Sequence, residues 1–274
     1  MAKDLRYFIE QVEQRHPEFF RRIKREVSPK WEVSSLQKRL EAEDKFPVLL
    51  FDKIAGHEMR MVTNLFASKQ HLALALGTKP DKVVEKFTEA EANPIEPVMV
   101  DSGPVKEVIL TGEKADLRVL PLVTHCAEDA GPYLSSGVTI MRDPETAALN
   151  AGLYRNLYLS PHTLTMNLAP LCHADQIMAK AGERGDSVDA AIVIGHHPTL
   201  GMASQRRGEL GDFELNTMGA LLGEPVNLLS CETVDLPVPA DAEIVIEGRI
   251  RSDLWEDDGP FGDYWLYYAP PKKA

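Results

Sequence analysis

The feature that most constrains this chain is the run Ala190-Ala-Ile-Val-Ile-Gly195, a continuous apolar stretch closed by glycine. Such a run is typical of a buried strand, because a strand with one face in water alternates instead. Further β signals gather upstream at Val105 to Leu110, Gly137 to Arg142, Ala148 to Leu159 and Leu164 to Leu168. The turn Asp143-Pro-Glu-Thr146 predicts a hairpin between two of them. Downstream, strands are expected at Val226 to Cys231 and Glu243 to Arg251. Helices are expected at Asp175 to Ala181 and at Glu214 to Leu222, the second ended by Gly223-Glu-Pro225.

The first hundred residues mix helix and strand. Asp4 reads as the N-cap of a helix carrying Leu5, Phe8, Ile9 and Val12, which His16-Pro17 interrupts. A second helix is expected near Ser34-Ser35, then strands at Phe46 to Phe51 and Met59 to Leu65 around an Ala55-Gly56 turn. Helices from Ser68 to Gly77 and from Pro80-Asp81 onward follow. The run NPIEPVMVDSGP, with three prolines, suits an extended connection and places a domain boundary near residue 100. The expected class is therefore mixed α+β, with domains at 1–100 and 101–274.

Composition narrows the function classes. With 274 residues, 44% hydrophobic and 26% charged, the chain reads as soluble and globular. A formal charge of −12 disfavours nucleic acid and anionic membranes as partners, since phosphates are repelled on average. Cys126, Cys172 and Cys231 are far apart and form no CxxC pair, which fits a reducing cytoplasm better than a disulfide scaffold or thiolate zinc site. No window approaches the ~18 apolar residues of a membrane span. The aromatic run Tyr264 to Tyr268 needs a partner surface with little chain left to supply it, so a longer native polypeptide is expected.

Several polar groups interrupt this apolar pattern. Asn150 and Arg155 stand five apart in an expected strand, where odd spacing sends side chains to opposite faces. Either the strand is bulged or the two groups serve different partners. A buried arginine needs a carboxylate or a ligand, because an unpaired buried charge is costly. Asn150, His173 and Glu214 make an N/O ligand set suited to Mn²⁺ or Mg²⁺, although on spacing alone a capping histidine and a glutamate favoured by the helix dipole serve as well. Glu256-Asp-Asp-Gly-Pro-Phe-Gly-Asp263 is either a solvated acidic turn or a pair of carboxylates whose pKa values are pushed apart near an arginine. His196-His197 reads as a post-strand loop. Arg206-Arg207 reads as a phosphate or carboxylate binder or, equally, a solvated loop. There is no GxGxxG, Walker or GxSxG motif.

Taken together, Asp143-Pro-Glu-Thr146, Asn150-Ala-Gly-Leu-Tyr-Arg155, His173, Glu214, Gly223-Glu-Pro225 and Asp258-Gly-Pro-Phe-Gly-Asp263 resemble the UbiD family of prenylated-FMN-dependent (de)carboxylases, in order and spacing along residues 130–265. The resemblance implies an N-terminal α/β domain, a flavin-reductase-like split β-barrel that binds the flavin, and a missing C-terminal domain. It makes Asn150, His173 and Glu214 the ligands of a divalent metal, usually Mn²⁺, that anchors the flavin phosphate. A potassium ion is implied beside the metal, held partly by backbone carbonyls, with Ala203, Ser204 and Arg206 standing where those contacts fall and Ser204 and Arg206 counted as cofactor contacts.

Arg155 matches the family's catalytic arginine, while Asp258 and Asp263 replace its two glutamates and shorten each arm by one methylene, about 1.5 Å. That implies either a reshaped pocket or impaired chemistry. The implied activity is reversible, non-oxidative decarboxylation of an aromatic or α,β-unsaturated acid, with CO₂ as the other partner and Asp263 as proton donor. A flavin prenyltransferase would supply the cofactor. The implied assembly is a homo-oligomer or a carboxylase complex, and a non-catalytic flavin-binding or scaffold subunit is the alternative.

Overall fold

The computed structural model describes residues 2–263 and 267–274. Helix α1 (Leu5–Arg15) starts where Asp4 accepts the Tyr7 N–H at 2.7 Å, and it buries Leu5, Phe8 and Val12. Strand β1 (Phe20–Val27) follows, unanticipated because Arg21, Arg22, Lys24 and Arg25 obscure its apolar positions. Those charges suit an edge strand, and Arg22 is paired with Asp52 at 2.9 Å. Helix α2 (Glu32–Ala42) begins before Ser34-Ser35, since the Glu32 carboxylate accepts the Ser28 N–H and fixes the turn earlier. Strands β2 (Val48–Ile54) and β3 (Met61–Thr63) complete a three-stranded sheet in which β1 runs parallel and β3 antiparallel to the central β2. Helices α3 (Lys69–Ala75) and α4 (Val83–Ala92) come next.

The proline-rich run is not free of structure, because it contains β4 (Val98–Met99). The expected strand at Val105 to Leu110 does not form. Its start is a 3₁₀ turn, Pro104–Lys106, and Val108 beyond it is 74% exposed. Three consecutive apolar residues there have no alternation to give a strand one buried face.

Strand β5 (Tyr133–Leu134) precedes β6 (Val138–Arg142) and β7 (Leu149–Leu153), which form the hairpin expected at Asp143 to Thr146. The expected long strand from Ala148 to Leu159 is divided: β7 ends at Leu153 and β8 (Asn156–Ser160) joins a different sheet with β5 and β9 (Thr163–Leu164). Beyond β9 the expected pairing continues irregularly: the Thr165 N–H donates to Leu157 O and the Asn167 N–H to Arg155 O, while Thr165 Oγ1 accepts the Leu157 N–H and Asn156 Nδ2 donates to Thr165 O. Helix α5 (His173–Arg184) is longer than expected at both ends, and β10 (Ser187–Ile194) leads through α6 (Thr199–Ala203) to α7 (Glu214–Leu222). Gly223, at φ 74°, closes α7 in the left-handed region that favours glycine.

The remaining strands are β11 (Asn227–Ser230), which pairs with both β4 and β12 (Pro237–Pro239), and β13 (Ile244–Arg251), followed by short β14 (Asp257–Asp258), β15 (Phe261–Gly262), β16 (Tyr268–Ala269) and β17 (Lys272–Lys273). The aromatic strand expected at Tyr264 to Tyr268 lies largely outside the described residues; its last residue, Tyr268, is in β16, paired with Gly262.

The central sheet has the order β13-β10-β6-β7. One face, with Val138, Ile140, Ala151, Ala191 and Val193, packs on Leu215, Met218 and Leu221 of α7 and on Ala73, Leu76, Val83 and Ala90 from the region of α3 and α4. The other face, with Met141, Val188 and Ala190, packs on Ala174, Ile177 and Ala181 of α5. Two-sided burial is what the apolar run of β10 requires. β7 is left as an edge strand, and that edge is where the polar groups gather.

The β6–β7 hairpin is fixed to α5 through Asp143, which accepts the Glu145 and Thr146 N–H groups at 2.8 and 3.1 Å and the Lys180 ammonium at 2.5 Å. Burial works to raise the Asp143 pKa, but Lys180 and the two N–H groups outweigh it and hold it below the usual carboxylate range. Asp143→Ala is expected to cost about 2 kcal/mol at pH 7, because two N–H groups lose their acceptor. Since the folded pKa is depressed, this stability is present above the unfolded carboxylate value and is lost as pH falls through the folded one. Urea unfolding of wild type and variant should therefore differ at pH 7 and converge in acid.

Candidate active site at the open sheet edge

An edge strand leaves N–H groups without a ladder partner. At Ala151 the partner is Glu214, whose Oε2 accepts this N–H at 2.7 Å. Glu214 is the first residue of α7, on one side of the sheet, and His173 is the first residue of α5, on the other. Between them Asn150 projects from β7, its Oδ1 3.1 Å from His173 Nδ1, which in turn lies 3.8 Å from Glu214 Oε1. Three residues far apart in sequence thus present an amide oxygen, an imidazole nitrogen and a carboxylate to one another.

Glu214 is 5% exposed, and burial drives its pKa up to about 7 against the pull of the Ala151 N–H and of Arg206. A buried carboxylate beside a neutral amide and an imidazole is short of positive charge, and that donor set fits a hard divalent cation. Among the described residues no group of three or more His, Cys, Asp or Glu is placed to hold a metal, so the amide of Asn150 is needed for a third ligand here.

The second centre begins at the break in the strand. Arg155 follows the end of β7, and its guanidinium meets Asp258 Oδ1 through Nη2 at 2.9 Å and Nε at 3.2 Å. Asp258 is completely buried and also accepts the Thr165 hydroxyl at 2.6 Å and Asn167 Nδ2 at 3.0 Å. The charge pair is thus satisfied on the carboxylate side by four donors. The Arg155 guanidinium lies over the Phe261 ring at 4.5 Å, and Tyr133 meets the same ring edge-on at 4.7 Å between centroids. Asp129 holds the turn in place by accepting the Gly262 N–H at 2.8 Å and the Cys126 N–H at 2.7 Å.

The other sequence candidates are placed less centrally. Asp263 is half-buried, its N–H donates to Tyr267 O, and among the described residues no hydrogen bond or ion pair joins it to Arg155. Ser204 is buried with its hydroxyl on Gly201 O at 2.9 Å. Arg206 is paired with Asp212 at 3.0 Å and lies 3.5 Å from Glu91, while its buried Nε makes no hydrogen bond. Arg207 is exposed. His196 and His197 are buried after β10, with burial lowering their pKa values to about 4 and about 3, and Phe8 packs edge-on against His197. They are neutral core groups.

A cleft of about 780 Å³ opens between α1, β3 and the end of the central sheet. It meets the site at Leu153 and Tyr133, and neither Asn150, His173, Glu214, Arg155 nor Asp258 lines it. Sequence reasoning missed Thr165 and Asn167. The signal was available: in Thr163-Leu-Thr-Met-Asn-Leu168 polar and apolar residues alternate, which puts Thr165 and Asn167 on one face and Met166 and Leu168 toward the core.

Compared with known proteins, residues 97–274 match the model of the 3-octaprenyl-4-hydroxybenzoate carboxy-lyase Rift-related domain, UbiD, and residues 15–91 match that family's N-terminal domain. The fold is similar to an evolved dimeric form of the UbiD-class enzyme HmfF from Pelotomaculum thermopropionicum in complex with prFMN, at TM-score 0.93 and 36% identity, covering 99% of this chain and 63% of that one. It is also similar to the vanillic acid decarboxylase of Sedimentibacter hydroxybenzoicus, at TM-score 0.92 and 28% identity over 100% of this chain and 60% of that one. In sequence it is 29% identical to the anhydromevalonate phosphate decarboxylase of Methanothermobacter thermautotrophicus, across 88% of this chain and 55% of that protein. The chain therefore spans less than two thirds of the length of these relatives. A matched domain model over most of its residues and two polar centres at one sheet edge lead to the same conclusion: this chain belongs to the UbiD family.

Proposed function

We propose that this chain is the cofactor-binding part of a decarboxylase or carboxylase that uses prenylated FMN and a divalent metal on an aromatic or α,β-unsaturated carboxylic acid. The observation that carries this reading is the convergence of Asn150, His173 and Glu214 beside a strand break that presents the paired Arg155 and Asp258. HmfF with bound prFMN and the vanillic acid decarboxylase, both similar to this chain along nearly its whole length, support it. In this reading residues 1–100 are an N-terminal α/β domain, and 101–274 are the flavin-binding unit, a split β-barrel of the flavin-reductase kind.

Asn150, His173 and Glu214 would hold Mn²⁺, or Mg²⁺, against the flavin phosphate, and the metal would compensate the buried Glu214 charge. Ser204 and Arg206 would stand on the phosphate side, with K⁺ on nearby backbone carbonyls. The modified flavin, when bound, supplies the electron sink that lets CO₂ leave the substrate. Arg155, held by Asp258, would orient the substrate carboxylate, and Asp263 would give its proton to the carbon that CO₂ vacates.

Asp258 reaches Arg155 at 2.9 Å in spite of its short arm, which supports a reshaped pocket over impaired chemistry. The alternative, a non-catalytic flavin-binding or scaffold subunit, draws on the lack of any hydrogen bond or ion pair between Asp263 and Arg155 among the described residues. A homo-oligomer or carboxylase-complex subunit supplied by a flavin prenyltransferase is the proposed setting. The three free cysteines fit the cytoplasm, and no helix among the described residues is long and apolar enough to cross a membrane.

Produced with a flavin prenyltransferase and Mn²⁺, the protein should carry a modified-flavin absorbance, and Glu214→Ala should lose metal and flavin together. Full retention of both by that variant would overturn the assignment. In a protein extended to the length of its relatives, Asp263→Asn should keep the flavin and lose at least about 10²-fold in kcat. Unchanged turnover would remove Asp263 as proton donor, and absence of turnover in the parent protein would favour the scaffold reading.

A further inference from the structure

We infer that Tyr154 is a positioning residue that turns the Asn150 side chain so its oxygen, not its nitrogen, faces His173; this rests on reading Asn150, His173 and Glu214 as metal ligands. A carboxamide has two ends of nearly equal size and opposite hydrogen-bonding character. Only the oxygen can ligate a hard cation, and a flipped amide would aim N–H groups at it. Something must select the orientation. Asn150 Nδ2 donates to Tyr154 Oη at 3.3 Å, while Oδ1 is left toward His173 Nδ1 at 3.1 Å. In the flipped state the amide oxygen would accept from the phenol O–H and the N–H groups would face His173, an arrangement that cannot ligate a cation; in the ligating state the phenol oxygen accepts from Nδ2 instead.

The tyrosine is itself fixed. Its ring packs against the cluster of Met141, Ala174 and Ile177 beneath α5, and it lies across Gly152, where an added Cβ would collide with the phenol oxygen and ring. Residues 150, 152 and 154 fall on one face of the strand, so the side chain of residue 154 can return to residue 150 only over a position with no side chain of its own. This gives Gly152 a reason that turn geometry does not. Groups that hold first ligands in place typically affect metal affinity by about 10- to 100-fold.

The test is Mn²⁺ titration of the 274-residue chain without flavin, read by the loss of the free Mn²⁺ electron-spin-resonance signal, with metal-free thermal unfolding measured alongside. Tyr154→Phe should weaken Mn²⁺ binding about tenfold. Gly152→Ala should act in the same direction by displacing the ring. In the Asn150→Asp background both terminal atoms are oxygens, so no orientation remains to be selected and adding Tyr154→Phe should change affinity by less than about twofold.

An equal loss in both backgrounds would assign Tyr154 a general packing role and overturn the inference, as would unchanged affinity in the single variant. Failure of the unsubstituted chain to bind Mn²⁺ saturably would instead overturn the metal reading, and the inference with it.

Discussion

The hydrogen bond from the Ala151 N–H to the Glu214 carboxylate is the constraint on which the site depends. Edge strands must find partners for N–H groups that no neighbouring strand takes. Here the partner is the first residue of a helix from the far layer, so the bond fixes α7 against β7 and also draws an acid into the protein. Its second oxygen then faces His173, with no lysine or arginine of the protein bonded to it among the described residues. One oxygen of the carboxylate is committed to the fold, and the other is left beside the His173 imidazole.

The two acids of the site show how environment separates roles within one residue class. Asp258 is surrounded by donors: a guanidinium, a hydroxyl and an amide use its oxygens, and it is complete without a ligand. Glu214 has few donors, and burial above all, with the nearby Asp212 charge, raises its pKa to about 7. The first acid therefore orders its neighbours, above all Arg155, whereas the second has capacity for a positive charge from outside. The break between β7 and β8 keeps these environments apart over five residues.

Much of the frame was legible in the sequence because local rules and burial agree there. The Asp4 cap, the apolar run of β10, the Asp143 hairpin and the Gly223 stop all appear where their residue types require. Strand β1 was hidden because four basic residues cover an edge strand whose apolar side is narrow. The run at Val105 to Leu110 misled for the converse reason, since apolar residues alone do not make a strand without a partner. Thr165 and Asn167 alternate as strand residues do, yet their side chains turn to Asp258, 93 and 91 residues further along the chain.

The sequence by itself determined which groups are available and that Asn150 and Arg155 either flank a bulge or serve different partners, because odd spacing on an extended chain separates them. Tertiary structure decided how. The strand does not bulge but ends, and its two halves join different sheets, so Asn150 is delivered to His173, which stands beside Glu214, and Arg155 to Asp258. Pairing of that range depends on how the layers pack and on which strand is left at the edge. Local periodicity carries no information about either.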